Sequence, residues 1–279
     1  MNWGEWLASA YRRLETSGDF DARWDADWLL AGEMGVSRAA LRLHRDDALA
    51  DDTRARLENR LNRRVSGEPL QYILGDTGFM GLTFFCDRSA LIPRQDTETL
   101  VETALERMKG MVRPAVLDLC CGTGAIGLSI AHYRRDAFVT LTDVSADALA
   151  LAEENRRALN IENAVLKQGD LFEAVRGETF DVILTNPPYL TQSDMDELQR
   201  EVRCEPALAL YGGADGLAFY RRIASEAAAY LKDGGVIWLE VGQGQAEDVC
   251  ALFRPPMGRT GVHRDMNGIE RVVEAMKGV

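Results

Sequence analysis

The sequence has few residues of the kinds that build disulfide frameworks and metal sites. It contains five cysteines, an odd number with no CxxC spacing, and three isolated histidines. Small secreted domains are usually cross-linked by paired cysteines, and zinc sites need closely spaced cysteine and histidine ligands. We therefore expect reduced thiols, a cytoplasmic setting and no bound metal.

The sequence also lacks long apolar runs and an excess of positive charge. No stretch approaches about 18 apolar residues, and the N-terminal residues do not form a signal peptide, so we expect no membrane association. The net charge of −12 argues against a long surface that binds a nucleic-acid backbone, and no direct nucleic-acid contact is expected. The arginine-rich segment Arg54 to Arg64 fits either a solvated helix face or a partner-docking face.

The hydrophobic pattern divides the chain into three parts. Residues 1–75 are predicted to form a helical N-terminal domain, a small bundle whose core includes leucines and the tryptophans Trp3, Trp6, Trp24 and Trp28. Residues 76–95 are predicted to form a β-hairpin linker. Residues 96–279 are predicted to form a Rossmann-like domain that begins with a helix near 97–108.

Within this last part, apolar strand patterns alternate with helical patterns. Strands are predicted near 115–120, 137–142, 163–168, 180–185 and 235–241, with helices near 124–133, 145–159, 193–203, 214–231 and 244–253. Two final strands are joined at Asn267-Gly268, a hairpin-type turn. The pattern predicts an α/β fold with a mostly parallel sheet that ends in a β-hairpin.

A strand, a glycine-rich turn and a helix follow one another in residues 116–133. Gly122-Thr123-Gly124-Ala125-Ile126-Gly127 satisfies GxGxxG, and Asp143 lies where an acid would bind ribose hydroxyls. This pattern fits an NAD-dependent oxidoreductase as well as a methyltransferase that uses S-adenosylmethionine. Asp118 in the first strand and Gly169-Asp170-Leu171 after the third strand favour the methyltransferase.

The segment Asn186-Pro187-Pro188-Tyr189 follows a buried strand and forms a stiff turn. Both prolines fix their φ angles and push the preceding residues away from helical conformation. The side-chain oxygen of Asn186 and the carbonyl of Pro187 can then accept both hydrogens of a planar –NH2 group. Tyr189 would add an aromatic face. The other interpretation is a plain strand exit with Asn as a turn former.

Four further segments, taken in order, resemble the HemK/PrmC family of peptide chain release factor glutamine methyltransferases. These segments are residues 69–75 (PLQYILG), 91–98 (LIPRQDTE), 201–208 (EVRCEPAL) and 212–217 (GGADGL). The resemblance implies S-adenosyl-L-methionine as methyl donor and S-adenosyl-L-homocysteine as product. It implies methylation of the glutamine side-chain amide in the Gly-Gly-Gln motif of class I release factors, and an N-terminal domain that helps to dock this substrate.

The resemblance also implies roles for individual residues. The cofactor loop would comprise Cys120, Cys121, Gly122, Thr123 and Gly124, with Asp143 at the ribose, Leu171 at the adenine and Asn186 at the reacting end. Asn186, Pro187, Pro188 and Tyr189 would bind the substrate glutamine. Many members have Gly-Thr in place of Cys120-Cys121, and some have an aromatic residue in place of Leu171.

Three alternatives remain at this point. The chain could methylate amino groups of DNA or RNA bases, it could be a non-catalytic binding module, or it could be an oxidoreductase. The acidic charge argues against the first and the intact Asn-Pro-Pro-Tyr turn against the others. We expect a monomer.

Overall fold

The computed structural model describes residues 1–18 and 21–278. These residues divide into two compact units, which we call the helical unit and the α/β unit. The helical unit comprises Met1–Gly75 and Gln199–Cys204, and the α/β unit comprises Asp76–Leu198 and the chain from Glu205 onward. No helix in the described part of the chain is both long enough and apolar enough to cross a membrane.

The part of the helical unit before Gly75 contains four α-helices and one 3₁₀ turn among the described residues. Their bounds are α1 Trp3–Thr16, α2 Ala22–Met34, the 3₁₀ turn Arg38–Arg42, α3 Asp51–Val65 and α4 Leu70–Leu74. Helix α1 starts with a capping box, in which the Asn2 side chain accepts the Glu5 N–H and the Glu5 side chain accepts the Asn2 N–H. Trp6, Leu29 and Leu57 are fully buried between the helices, which confirms the predicted helical N-terminal region.

Two tryptophans predicted to lie in this core do not lie there. Trp24 is 52% exposed and Trp28 is 39% exposed, so their assignment to the core was wrong. The Arg38 guanidinium stacks over the Trp24 ring at 3.4 Å from its centroid. A cation over an indole stabilises an aromatic side chain at the surface, and helical spacing alone does not reveal such a partner.

The arginines of α3 are matched by carboxylates. Each contacts at least one acidic side chain: Arg54 with Asp51, Arg56 with Glu33 and Asp52, Arg60 with Glu33, Arg63 with Glu68, and Arg64 with Asp25 and Glu201. The segment that the sequence marks as basic therefore carries little uncompensated positive charge.

The α/β unit contains a small hairpin, a seven-stranded sheet and six helices among the described residues. The hairpin is β1 Asp76–Phe79 and β2 Leu82–Phe85, and the sheet strands are β3 Ala115–Leu119, β4 Phe138–Asp143, β5 Ala164–Gln168, β6 Phe180–Thr185, β7 Leu231–Glu240, β8 Met257–Arg264 and β9 Glu270–Lys277. The helices are α5 Glu98–Arg107, α6 Ala125–Tyr133, α7 Ala146–Ala158, α8 Gln192–Asp196, α9 Ala218–Tyr230 and α10 Ala246–Leu252.

The sheet has the order β5-β4-β3-β6-β7-β9-β8. Strands β3 to β7 pair in parallel, and β9 pairs antiparallel with both β7 and β8. This arrangement confirms the predicted mostly parallel sheet that ends in a hairpin. The strand order reverses between β3 and β6, and open α/β sheets bind ligands at the carboxyl ends of strands at such a point.

Each face of the sheet is covered by an apolar cluster. One cluster includes Leu100, Leu128 and Trp238, together with Phe79 and Phe84 of the hairpin. The hairpin that the sequence predicts as a linker thus packs within the α/β unit. The other cluster, on the opposite face, includes Phe172, Tyr220 and Phe253.

The helix predicted at 193–203 is wrong. Helix α8 ends at Asp196, and two 3₁₀ turns follow at Val202–Cys204 and Ala207–Ala209. Residues 199–204 belong to the helical unit, where Glu201 bonds Arg64 at 2.6 Å. The ion pair with Arg64 therefore favours a non-helical path for residues 199–204, although their local sequence pattern is helical.

Candidate active site

A cavity lies at the carboxyl ends of β3, β4 and β6, where the strand order reverses. Eight of the predicted site residues line it: Cys120, Cys121, Gly122, Thr123, Asp143, Leu171, Asn186 and Pro188. Three others, Gly124, Pro187 and Tyr189, are not among the lining residues. The sheet therefore brings the glycine-rich turn, the acid after β4 and the Asn-Pro-Pro-Tyr turn to one space, although they are far apart in sequence.

The glycine-rich turn between β3 and α6 has an unusual backbone. Cys120, Gly122 and Gly124 all have positive φ, of 59°, 53° and 79°. The left-handed conformation is easy for glycine but strained for cysteine. A Cβ on Gly124 would lie 2.9 Å from Leu128 Cδ1, so this glycine allows the turn to pack closely on α6.

Asp118 lies beneath this turn and holds the start of α6. Its Oδ2 accepts the Gly127 N–H at 2.8 Å, while Oδ1 has no partner among the described residues. Burial raises the pKa of Asp118 to about 8, opposed by the Gly127 hydrogen bond and reinforced by the charge of Asp143. Burial also raises the pKa of the Cys120 and Cys121 thiols, so neither is an activated nucleophile.

Asp143 ends β4 and orients the neighbouring loops. Its two carboxylate oxygens accept the N–H groups of Gly122 and Ser145, both at 2.9 Å. A carboxylate oxygen can accept a second hydrogen bond, so each retains acceptor capacity toward the cavity. The carboxylate is thus fixed in orientation by backbone donors and still able to bind a diol.

The cavity wall beyond Asp143 is apolar. Leu171 is buried with φ of 50°, and Phe219, Ala148 and Ile126 also line the cavity. The adjacent Asp170 carboxylate pairs with Arg222 at 2.7 Å. This wall suits a flat aromatic group.

The Asn-Pro-Pro-Tyr turn is held by backbone contacts on its far side. The Leu190 N–H donates to Leu210 O at 2.9 Å, and the Gln245 side chain donates to Tyr189 O at 3.1 Å. A Cβ on Gly212 would lie 2.6 Å from Tyr189 Cα, so only glycine fits against the turn there. Burial, assisted by the charge of Glu240, raises the pKa of Tyr189 to about 12, which keeps this phenol protonated at neutral pH.

A buried threonine and a buried glutamate adjoin Asn186. The Asn186 Nδ2 donates to Thr97 Oγ1 at 3.4 Å, and Glu240 ends the strand next to β6. Burial raises the pKa of Glu240 to about 7, opposed by hydrogen bonds from Thr97 and Asn186 and by the charge of Arg271. No motif in the sequence predicts this acid beside the turn, because Glu240 is distant from Asn186 along the chain. An acid at the end of the apolar run from Val236 was the available signal.

A second missed carboxylate supports the loop that closes this side of the cavity. Glu205 is buried, accepts the Ile92 N–H at 3.0 Å and pairs with the Arg94 guanidinium. Pro93, which lies between Ile92 and Arg94, and Pro206, which follows Glu205, both line the cavity. The pair therefore joins the segments 91–98 and 201–208, for which the sequence alone indicates a family resemblance but no contact.

The cavity residues fit S-adenosylmethionine. Asp143 offers acceptors for ribose hydroxyls, and the wall around Leu171 suits an adenine ring. Asn186 and Pro188 line the same cavity. Within residues 1–18 and 21–278, no group of three or more His, Cys, Asp or Glu side chains could hold a metal ion.

Two family profiles match the chain. The PrmC N-terminal domain matches residues 5–75, and the Methyltransferase small domain matches residues 95–203. The first covers most of the helical unit, and the second includes the glycine-rich turn, Asp143 and Asn186.

Curated relatives match over nearly the whole chain. A release factor glutamine methyltransferase of Geobacter sulfurreducens is 41% identical over 93% of this chain and 91% of its own length. One from Clostridium acetobutylicum is 37% identical over 98% of this chain and 97% of its own length. These two matches therefore cover both the helical unit and the α/β unit.

Solved structures support the fold at lower similarity. A methyltransferase from Pyrococcus furiosus is 19% identical, with a TM-score of 0.51, over 82% of this chain and all of that one. The 16S rRNA N2 G1207 methyltransferase of Thermus thermophilus, in complex with AdoMet and guanosine, is 22% identical with a TM-score of 0.50, over 72% of this chain and 49% of that one. The N-terminal profile and the near full-length relatives show that the chain belongs to the release factor glutamine methyltransferase family.

Proposed function

We propose that this protein transfers a methyl group from S-adenosylmethionine to the side-chain amide nitrogen of a glutamine in a protein substrate. The substrate is a class I release factor, the glutamine is that of its Gly-Gly-Gln motif, and the second product is S-adenosylhomocysteine. This reaction accounts for both halves of the cavity, since one half suits the cofactor and the other suits a primary amide.

One observation carries the proposal. Asn186, at the end of β6, lines the same cavity as the glycine-rich turn after β3 and Asp143 at the end of β4. Strands β3 and β4 are neighbours, and so are β3 and β6. A cofactor on one side of this cavity would therefore present its reactive group to an amide held on the other.

The chemistry requires positioning more than acid–base catalysis. An amide nitrogen is a weak nucleophile because its lone pair is delocalised into the carbonyl. When bound, the cofactor supplies an electrophilic methyl group on a sulfonium. The Asn186 side-chain oxygen and the Pro187 carbonyl would each accept a hydrogen bond from one N–H of the substrate amide. These bonds would hold the amide nitrogen in line with the methyl group.

The same hydrogen bonds favour the transition state over the bound substrate. As positive charge develops on the substrate nitrogen, its N–H groups become stronger donors to Asn186 and Pro187. Methyl transfer first gives a cationic N-methylated amide, which loses a proton readily to become the neutral product, so no strong base is needed beside the turn. This accords with Tyr189, whose raised pKa of about 12 makes it unsuited to remove a proton.

We assign binding of the large substrate in part to residues 1–75, the helical N-terminal domain. The match of the PrmC N-terminal domain to residues 5–75 supports a specialised role for this region. The paired arginines of α3 offer little net charge for this contact. We further propose that the protein acts as a monomer in the cytoplasm, without direct contact to nucleic acid.

The substrate is tested by offering three acceptors separately. Wild-type protein and labelled S-adenosylmethionine are incubated with unmethylated release factor, with DNA, or with RNA. We expect label on the release factor alone, and no label on a release factor whose Gly-Gly-Gln glutamine is replaced by alanine. Label on DNA or RNA instead would agree with methylation of an amino group held by Asn186, but it would contradict the proposal that the substrate is a protein.

A further inference from the structure

Asn186 has two chemically different ends, and the proposed reaction can use only one of them. Its side-chain oxygen accepts hydrogen bonds, whereas its –NH2 group only donates them. A substrate amide that donates from its own –NH2 requires the Asn186 oxygen to face the cavity. If the side chain were flipped, two –NH2 groups would oppose each other.

The –NH2 group of Asn186 has a hydrogen-bond partner in Thr97, which also lines the cavity. Asn186 Nδ2 lies 3.4 Å from the Thr97 hydroxyl oxygen, and Thr97 is buried with 4% exposure. A hydroxyl has one hydrogen to donate and two lone pairs, so by itself it accepts or donates equally well. Thr97 alone therefore does not decide which way Asn186 points.

The neighbouring carboxyl group of Glu240 determines the direction of the hydrogen bond between Asn186 and Thr97. In the β6–β7 pairing, Thr185 lies opposite Leu239, so the next residues along the two parallel strands, Asn186 and Glu240, are neighbours. Glu240 is 2% exposed, and its backbone oxygen accepts a hydrogen bond from the Tyr220 hydroxyl at 2.8 Å. Its carboxyl group lies near enough to Thr97 and Asn186 for both to lower its pKa. An ionised carboxylate can only accept, so the Thr97 hydroxyl hydrogen turns toward it and the oxygen lone pairs remain for the Asn186 amide.

We infer that Glu240 is a positioning residue that turns the side-chain oxygen of Asn186 toward the substrate amide. Its carboxylate fixes the direction of hydrogen bonding from Asn186 through Thr97. Glu240 is not among the residues that line the cavity, so it acts through Asn186 and not on the substrate. This inference rests on the proposed function, because it concerns the same amide nitrogen.

The substitution Glu240→Gln tests the direction of hydrogen bonding from Asn186 through Thr97 without changing the size of the side chain. A glutamine can donate as well as accept, so the Thr97 hydroxyl is free to turn around and the Asn186 amide is free to flip. The expected result is a kcat about 10²-fold lower, the scale observed when one preorganised hydrogen-bond partner is lost. The Kd for S-adenosylmethionine should stay within about two-fold of wild type, since no cofactor contact is removed.

Two variants of Thr97 separate positioning from simple packing. Thr97→Val removes the hydroxyl at nearly equal volume and should lower kcat as Glu240→Gln does, whereas Thr97→Ser retains the hydroxyl and should preserve most of the activity. Because both losses break one hydrogen-bonded chain, the double variant Thr97→Val/Glu240→Gln should lose no more than the worse single variant. Independent structural damage would instead multiply the two losses.

Glu274→Gln is the matched control. Glu274 lies opposite Trp238 in the same sheet and accepts its indole N–H at 3.0 Å, away from the cavity. This variant should keep the wild-type kcat. Wild-type methylation of the release factor glutamine tests the proposed function separately. Given that activity, a wild-type kcat for Glu240→Gln, or multiplicative losses in the double variant, would overturn the role of Glu240.

Discussion

Buried acids have different surroundings in the two units of this protein. In the helical unit, the buried Asp25 pairs with the equally buried Arg64. In the α/β unit, Asp118 and Glu240 are just as buried, but one oxygen of each has no hydrogen-bond partner among the described residues. Burial raises the pKa of these two acids to about 8 and about 7.

This difference distinguishes a buried acid that stabilises the fold from buried acids that support the cavity. A paired buried charge stabilises a fold only while both partners are present, whereas acids with strongly shifted pKa values concentrate at functional sites. Asp118 lies beneath the glycine-rich turn and Glu240 lies beside Asn186, so the two acids support the two halves of the cavity. We expect loss of the paired charge in the helical unit to change stability, and substitution of Asn186 or Glu240 to change catalysis.

The largest expected effect is on catalysis. Asn186→Ala should lower methyl transfer by at least about 10³-fold, because the substrate amide loses an acceptor that orients it in the transition state. The Kd for S-adenosylmethionine, measured by calorimetry, and the unfolding midpoint should change little. An equal loss of cofactor affinity and methyl-transfer rate would contradict the assignment of Asn186 to the substrate half of the cavity.

The next largest effect is on stability in the helical unit. Arg64→Ala removes the buried guanidinium that pairs with the Asp25 carboxylate and should lower the free energy of unfolding by about 3–5 kcal/mol, measured by urea denaturation. The matched control is Arg54→Ala, which removes an exposed pair with Asp51 and should cost less than about 1 kcal/mol. If both variants were equally stable, the buried pair would have no special role.

A smaller effect should appear in the pH dependence of the rate. Glu240 is ionised above its pKa of about 7, so wild-type kcat should fall about 10-fold from pH 8 to pH 6 as the carboxyl becomes a donor. The charged or titratable groups that face Glu240 are Arg271, Asp96, Tyr189 and Tyr220, and the tyrosines stay neutral in this range. Glu240→Gln should show a low and flat profile, whereas an unchanged profile in this variant would assign the titration elsewhere.

The smallest effect concerns Asp118. Its folded pKa of about 8 lies above the ordinary 3.8, so the protein should lose stability as the pH rises from about 4 through about 8. Asp118→Asn keeps an acceptor for the Gly127 N–H and removes the charge. It should therefore raise the free energy of unfolding by about 1–2 kcal/mol at pH 8 and by less at pH 5. An equal difference at both pH values would show that the charge of Asp118 is not responsible.

The sequence predicted the α/β unit well because its strands are local apolar runs separated by helices. Strand β6 was predicted within the bounds that the structure shows, and the terminal hairpin is in place. The glycine-rich turn, Asp143 and Asn186 were predicted as site residues from short motifs, and all three line the cavity. The roles assigned to them remain proposals.

The errors occur where distant residues decide the structure. The predicted helix at 193–203 fails because residues 199–204 join the helical unit through Glu201 and Arg64. Trp24 has the helical spacing of a core residue but lies at the surface under the Arg38 guanidinium. Glu240 is brought to Asn186 by the pairing of β6 with β7, which no local pattern in the sequence records.

The central claim is tested most directly by locating the methyl group on the substrate. Wild-type protein would be incubated with S-adenosylmethionine and an unmethylated class I release factor, and the Gly-Gly-Gln peptide would be analysed by tandem mass spectrometry. The account predicts the added mass of one methyl group on the side chain of that glutamine, and none with Asn186→Ala. An unmodified glutamine in the wild-type reaction, with the methyl group on another residue or molecule, would contradict it.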